Sequence, residues 1–281
     1  MPIDPSSQLY YEASGPESAK SIVFLHGGGI AGWMWRKQVQ ALQAEYHCVV
    51  PDMPEQGKNT RMDTTPFTTE GAADRIAQLI RSQAHGGQAH VVGLSEGAQV
   101  VVSLLSRSPE VIDHAVVSSA IMRPLWVTKL YPRWVIAWSY RWFVAPFKNN
   151  DWWIRLNMHG NGISDDYFAD FKGSFQEMSE ASMLNTMLAG FRFRMPAGLE
   201  KVNVPVLVAA GRKEYAAMKQ SALDLVKVLP KARGVMVSLG PKSSLVKEHS
   251  WAITAPDLFT ATVKAWIEDR PLPAELLPLS L

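Results

Sequence analysis

The chain has 281 residues, and its 28 basic and 26 acidic side chains leave a formal net charge of +2. This length is enough for one large α/β domain or two small ones, and for a substantial buried core. No run of Lys or Arg builds a basic stripe, so no nucleic-acid partner is expected. No window reaches about eighteen uninterrupted apolar residues, and the N-terminus lacks a signal-peptide pattern, so neither a membrane span nor secretion is expected.

The single cysteine, Cys48, excludes an internal disulfide and fits a reducing cytosol, so a cytoplasmic location is expected. Cys48 lies in an apolar run with Val49 and Val50 and is predicted to be a buried structural thiol. The sequence leaves the oligomeric state open, a homo-oligomer included.

Short β-branched runs alternate with helical stretches, a pattern typical of a mostly parallel sheet with helices on both faces. An edge strand is expected near Leu9–Ala13. The buried strand candidates are apolar at nearly every position; they are Ser21–His26, His47–Pro51, His90–Gly93, Ala115–Ser119, Val206–Ala210 and Val235–Leu239. The helix candidates between them are Trp33–Glu45, Thr69–Ser82, Glu96–Arg107, Tyr215–Val228 and Pro256–Glu268.

The alternation breaks between residues 122 and 196, where no strand pattern occurs and most of the tryptophans lie. This segment is predicted to be a helical insertion between two strands of the sheet. Gly160–Gly162 is its predicted internal turn, and Arg194–Pro196 is its predicted exit. The core would then consist of residues 1–121 and 197–281.

The segment Gly93–Gly97 reads GLSEG and places Ser95 between two glycines. A serine flanked in this way can occupy a sharp turn from strand to helix, where larger side chains two positions away would collide. An apolar strand pattern precedes the segment, and a helical pattern follows it, as such a turn requires. The turn projects the Ser95 hydroxyl from the carboxyl edge of the sheet, next to the positive end of a helix. Ser95 is therefore the predicted nucleophile.

The segment His26–Gly29 reads HGGG and follows an apolar strand pattern. Three consecutive glycines let the backbone approach a ligand closely and turn its N–H groups toward a developing oxyanion. We expect the backbone N–H groups of Gly28 and Glu96 to form an oxyanion hole, with Gly29 as the alternative to Gly28. No Gly-Lys-Ser/Thr sequence follows, which argues against a nucleotide-binding loop. His26 is expected to hold the loop in place rather than to act as a base.

A serine hydroxyl needs a base, and the base needs an orienting carboxylate. His249 is the predicted base, because it alone of the seven histidines falls in a predicted loop between the last strand and the last helix. The others are assigned to the starts of strands, a surface loop, the insertion or the HGGG loop: His47, His90, His114, His85, His159 and His26.

The predicted carboxylate is Glu214, which closely follows a buried strand pattern and so falls at the carboxyl edge of the sheet. Two alternatives remain. Glu248 stands beside the histidine and is expected to be solvated, and Asp52 follows an earlier strand.

Taken together, the HGGG segment, Pro51–Gly57, GLSEG, Gly211–Glu214 and His249 before Trp251 resemble the α/β-hydrolase superfamily. The resemblance covers about residues 9–269. Within the superfamily, the chain most resembles single-domain esterases, lipases and carbon–carbon hydrolases that have a helical cap. It implies the α/β-hydrolase fold, a mostly parallel twisted sheet with helices on both faces and residues 122–196 as a cap. It also implies Ser95 as nucleophile, Glu214 as acid and His249 as base, in the chain order usual for this fold, with no metal or organic cofactor.

The sequence departs from the family pattern in three places, and Glu96 is a further unusual feature. Glu214 stands where aspartate is usual, and Glu248 stands where glycine commonly precedes the histidine. The usual proline-glycine-histidine-glycine turn reads Pro54-Glu55-Gln56-Gly57. Glu96 places a carboxylate directly after the nucleophile; it is either solvated or, if it faces the site, unfavourable to an anionic transition state.

Aromatic residues are concentrated between residues 126 and 153 and favour a hydrophobic substrate pocket. The predicted lining residues are Trp126, Trp134, Trp138 and Trp251. The favoured activity is cleavage of an ester-like bond, a carboxylic ester or thioester, in a small hydrophobic substrate. Carbon–carbon bond hydrolysis or acyl transfer on the same triad remains an alternative, as does a non-catalytic small-molecule receptor on the same scaffold.

Overall fold

The computed structural model describes residues 9–61, 66–123 and 132–281. Its strands, in chain order β1 to β8, are Tyr11–Ser14, Ser21–Leu25, His47–Pro51, Ala89–Leu94, Ile112–Ser118, Val206–Gly211, Ala232–Val237 and Leu277–Pro278. They form one sheet in the order β1-β3-β2-β4-β5-β6-β7-β8. Strands β2 to β7 are parallel, whereas β1 and β8 pair antiparallel at the two edges.

The helices of the described residues, α1 to α11, are Arg36–Leu42, Thr69–Gln83, Glu96–Arg107, Arg133–Ser139, Asp151–Gly160, Phe168–Glu177, Glu180–Arg192, Ala216–Val228, Leu245–His249, Trp251–Thr254 and Pro256–Ile267. They cover both faces of the sheet, so the predicted α/β-hydrolase architecture is confirmed. The predicted helix Glu96–Arg107 has the observed bounds of α3.

Alternate residues of each central strand face two separate apolar cores. On β2, Val23 and Leu25 belong to the core that contains α2 and α3. Ile22 and Phe24 belong to the core on the opposite face, where α1 and α11 pack. This alternation is the period-2 geometry of a strand that is buried on both sides.

The predicted bounds differ from the observed ones where the local signal is weak. β7 begins at Ala232, three residues before the predicted start, because Arg233 and Gly234 interrupt the apolar pattern that marked the strand. His249 lies at the end of the short helix α9 and not in a loop. No strand was predicted at β8, which has only two residues.

The chain between β5 and β6 contains α4 to α7, and none of its described residues belongs to a strand. The predicted turn at Gly160–Gly162 follows the end of α5, and the chain leaves α7 just before Arg194–Pro196. Apolar side chains of this segment, among them Ile154, Met158 and Phe171, join the core on the α1 and α11 face. No helix within the described residues is long and apolar enough to cross a membrane.

Candidate active site

Ser95 occupies a tight turn between β4 and α3, in a conformation that side chains rarely adopt. Its φ is 56° and its ψ is −113°, and its N–H donates to the Ser118 carbonyl at 2.8 Å. A Cβ at Gly97 would lie 2.2 Å from the Leu25 carbonyl oxygen, and one at Gly93 would lie 2.5 Å from the Gly97 carbonyl oxygen. The two glycines therefore permit the turn, and the strained residue costs about 1–3 kcal/mol.

The predicted base and acid are in direct contact, although 35 residues separate them in the chain. His249 Nδ1 lies 2.7 Å from Glu214 Oε1, and the Glu214 side chain is buried. Glu214 Oε2 accepts a hydrogen bond from the Gly211 N–H at 2.9 Å. Because an ionised carboxylate only accepts, this contact places the imidazole proton on Nδ1 and leaves Nε2 free to accept a proton.

The alternative acid Asp52 is occupied elsewhere. Its Oδ1 accepts from the Gly32 N–H and its Oδ2 from the Lys58 N–H, both at 2.8 Å. Asp52 therefore fixes the loops that follow β2 and β3, and it does not contact His249.

Glu248 was expected to be solvated, and this expectation is wrong, because the residue is 0% exposed. Its Oε2 accepts from the Lys213 N–H at 2.7 Å, and its Oε1 accepts from the Leu239 N–H at 3.3 Å. Burial of this carboxylate is possible because the two backbone donors replace water. Glu248 therefore holds together the loops that follow β6 and β7, and the described hydrogen bonds of its carboxylate do not include His249.

A cavity of about 520 Å³ contains both Ser95 and His249. The two side chains are not hydrogen-bonded to each other among the described contacts. Glu96 and His249 are its titratable lining residues, and no Lys, Arg or Asp belongs to the described lining. Much of the wall is apolar and comes from residues 144–191, including Ile163, Phe171, Phe175, Met178, Met183 and Met187.

The predicted tryptophan lining is wrong at three positions, and the fourth, Trp126, lies outside the described residues. Trp134 and Trp138 are 69% and 50% exposed. They are four residues apart on one face of α4, and the buried Ile136 lies between them on the other face. Trp251 is 1% exposed, packs against Phe259 and donates to the Ser118 hydroxyl, so it belongs to the core.

Sequence reasoning missed the Phe and Met residues that line the cavity in place of the tryptophans. Two pairs, Phe171 with Phe175 and Met183 with Met187, are spaced four residues apart on α6 and α7. That spacing places each pair on one helical face and was the available signal. It was hidden by the larger number of aromatic residues around α4.

The HGGG loop is held from two sides. His26 Nδ1 lies 2.8 Å from the Gly27 carbonyl oxygen, and His26 Nε2 accepts from the Met53 N–H at 2.9 Å. The Gly29 N–H donates to Gln56 Oε1 at 2.9 Å, so it is not free for an oxyanion, which removes the alternative donor. The N–H of Gly28 has no acceptor among the described residues.

A sequence model described as the alpha/beta hydrolase family matches residues 22–262. The chain belongs to the α/β-hydrolase family. It is 36% identical over 130 residues to an AB hydrolase superfamily protein of Gibberella zeae, a match that covers 45% of each chain. It is 27% identical over 270 residues to RutD of Caulobacter sp. (strain K31), provisionally named a carbamate hydrolase, covering 91% of this chain and 94% of the relative.

The structure is similar to that of a thermophilic esterase from Thermogutta terrifontis, with a TM-score of 0.71. The two chains are 17% identical, and the match covers 93% of each. This likeness shows the fold. The family match and the named relatives together place the chain among hydrolase enzymes.

In this α/β hydrolase, the carboxyl group of Glu96 faces the cavity, which is the second of the two alternatives that the sequence left open. Glu96 is 7% exposed, and a Cβ at Gly28 would lie 3.1 Å from its Oε2. Glu96 Oε2 accepts from Gln56 Nε2 at 2.6 Å. Burial raises the pKa of the Glu96 carboxyl to about 7, and the hydrogen bond from Gln56 opposes this rise in part.

Proposed function

We propose that the chain is a serine hydrolase that cleaves carboxylic ester or thioester bonds of small, uncharged, hydrophobic substrates. The observation that carries this proposal is the 2.7 Å contact between His249 and Glu214 in the wall of the cavity that contains the Ser95 turn. A serine on a strained turn, in the same cavity as an imidazole that a buried carboxylate orients, provides the groups that activate a hydroxyl. The esterase with the same fold supports the choice of bond.

The proposed reaction has two steps. Ser95 Oγ attacks the substrate carbonyl carbon while His249 Nε2 takes the hydroxyl proton, and the backbone N–H groups of Gly28 and Glu96 bind the oxyanion. The intermediate collapses when Nε2 returns the proton to the leaving oxygen or sulfur, which leaves the acyl group on Ser95. Water then attacks the acyl-enzyme with His249 again as base, releasing the acid and restoring Ser95.

We further propose that residues 122–196 act as a cap on a core of residues 1–121 and 197–281. Support comes from the cavity, because side chains of α5, α6 and α7 face Ser95 and His249 across it. Such a cap would exclude water from the site and strengthen the interactions that stabilise the oxyanion.

The cavity wall also supports a neutral substrate. An anionic substrate would lose its hydration on entry, and the described lining offers no Lys or Arg to replace it. An ionised Glu96 would repel such a substrate as well. Carbon–carbon bond hydrolysis of a dienoate carboxylate is therefore the less favoured reaction on this triad.

The test is covalent labelling with a fluorophosphonate, followed by intact mass and peptide mapping. We expect one adduct per chain, located on Ser95, and none on Ser95→Ala. In parallel, a chain-length series of p-nitrophenyl esters should be turned over, whereas a carboxylate-bearing dienone should not. A folded wild-type protein that forms no adduct would contradict the proposal and favour a receptor.

Glu96 gives a second prediction, on the pH dependence of the rate. Because its pKa is raised to about 7, the carboxyl is neutral below that pH and ionised above it. The ionised form opposes the oxyanion that forms beside Gly28. Glu96→Gln keeps the shape and removes the ionisation, so the ratio of its kcat/KM to that of wild type should rise with pH. We expect a ratio near one in acid and about tenfold at alkaline pH, measured with p-nitrophenyl acetate.

Gln56→Leu is the matched variant. It removes the hydrogen bond that lowers the pKa of Glu96. The pH at which kcat/KM has fallen halfway, as Glu96 ionises, should therefore be higher than in wild type. A ratio of Glu96→Gln to wild type that stays constant across pH would show that ionisation of Glu96 does not govern the rate.

A further inference from the structure

His90 is a buried histidine whose ring makes no hydrogen bond. It is the second residue of β4 and is 1% exposed, and neither ring nitrogen has a hydrogen-bond partner among the described residues. Leaving a buried polar group unsatisfied is costly, and a bound water or a bound ion would remove the cost. His90 lies near the amino end of β4, whereas Ser95 follows its carboxyl end, so the proposed reaction does not use it.

An irregularity in the sheet brings two further ligands beside His90. The register between β4 and β5 shifts here, so β5 has one more residue than β4, and Asp113 and His114 together lie opposite His90. Adjacent residues of a regular strand point to opposite faces, and a bulge can turn both toward the same side. Asp113 Oδ2 lies 3.8 Å from His90 Nδ1, and Asp113 Oδ1 lies 3.0 Å from His114 Nδ1.

We propose that His90, Asp113 and His114 bind a divalent transition-metal cation, with Zn²⁺ as the best match. Two imidazoles and one carboxylate form a donor set that suits Zn²⁺. One ligand atom from each residue lies within 4.8 Å of the others. Tetrahedral coordination places such atoms about 3.4 Å apart, so binding needs a movement of roughly 1 Å.

Two neighbours decide how well the site would work. His114 Nε2 lies 3.5 Å from Asp269 Oδ1, a carboxylate that can orient the ring while Nδ1 binds the metal. The Lys20 ammonium lies 3.3 Å from Asp113 Oδ2 and competes with a cation for this carboxylate. Because the Lys20 side chain is exposed, it can move into solvent when a metal binds.

The position of the site predicts an effect on stability and not on catalysis. His90 and Ser95 are separated by five residues of nearly extended chain, which corresponds to roughly 16 Å. A metal here would join β4 to β5 at the amino edge of the sheet. Ligand binding to the native state alone raises the melting temperature in proportion to the logarithm of ligand concentration.

The experiment titrates EDTA-treated full-length protein with Co²⁺, followed by its visible absorption, and with Zn²⁺ by calorimetry. We expect one metal ion per chain and, at about 100 times the Kd, a rise in Tm of about 5 °C. His90→Ala should weaken binding by about 100-fold or more. Wild-type protein that binds neither ion, or His90→Ala that binds as tightly as wild type, would overturn the proposal.

Three variants keep the test decisive if His90→Ala folds poorly. Asp113→Asn, at a partly exposed position, should also lose the metal. Lys20→Ala removes the competing ammonium and should tighten binding severalfold, a gain that non-specific binding would not show. His159→Ala is the control, because His159 lies 3.4 Å from Asp165 in an exposed pair that offers only two ligands. Unchanged affinity in both Asp113→Asn and Lys20→Ala would assign the bound metal to another place.

Discussion

Ser95→Ala is expected to lower kcat/KM for p-nitrophenyl acetate by about 10⁴-fold or more. The variant loses the oxygen that attacks the carbonyl, while the His249–Glu214 pair and the Gly28 N–H remain and support only the residual reaction with water. Its Tm should change little, because the Ser95 hydroxyl makes no hydrogen bond among the described residues. Steady-state kinetics beside a thermal melt measures both quantities.

Ser106→Ala is the matched control on the same helix. Its hydroxyl donates to the Ala197 carbonyl at 2.9 Å, far along α3 from the turn. We expect less than about a twofold change in kcat/KM, because a surface substitution leaves the site intact. If Ser95→Ala keeps a tenth of the wild-type rate, the nucleophile lies elsewhere.

Glu214→Gln is expected to lower kcat by about 10³- to 10⁴-fold with little change in KM. The Gly211 N–H requires an acceptor, so the amide oxygen of the glutamine must face it and the NH₂ group must face His249. An NH₂ group is a donor, so Nδ1 becomes the acceptor and the proton moves to Nε2. In that tautomer Nε2 cannot take the proton of Ser95.

The two other carboxylates serve as controls for the acid. In wild type, the carboxylates of Asp52 and Glu248 accept hydrogen bonds from backbone N–H groups. Asp52→Asn and Glu248→Gln would each replace one of these acceptors with an NH₂ group, which can only donate. Both should lower Tm, and both should reduce kcat far less than Glu214→Gln does. The assignment fails if Asp52→Asn abolishes turnover while Glu214→Gln leaves it unchanged.

Elements with strong local signals were predicted closely. The helix Glu96–Arg107 begins within the GLSEG segment, directly after Ser95, and ends before the proline of Ser108–Pro109, so both of its ends are marked in the sequence. The antiparallel strand β8 has no such marks, because it consists of two exposed residues that pair with β7 after the chain returns from α11. Strand β8 exists only because the chain, after it leaves the last helix, runs back along β7.

Within the site, local signals located the residues but not their surroundings. Glu214, Glu248 and Asp52 all follow strands or precede the histidine, so the sequence could rank them but could not separate them. Their hydrogen bonds separate them, since of these three carboxylates only that of Glu214 has a described hydrogen bond with His249. The same limit explains the tryptophans, because a helix can turn an aromatic side chain toward the cavity or toward solvent with the same composition.

The sequence by itself determined the Ser95 turn. The apolar strand pattern, the two glycines and the helical pattern after them mark the turn within one continuous segment, although the close contact that requires Gly97 is with the Leu25 carbonyl on β2. Only the tertiary structure decided what surrounds that serine. The contact of His249 with Glu214, the burial of Glu96 beside Gln56 and the Phe and Met wall join segments far apart in the chain. Their distances, and the dielectric that raises the pKa of Glu96, arise when those segments pack together.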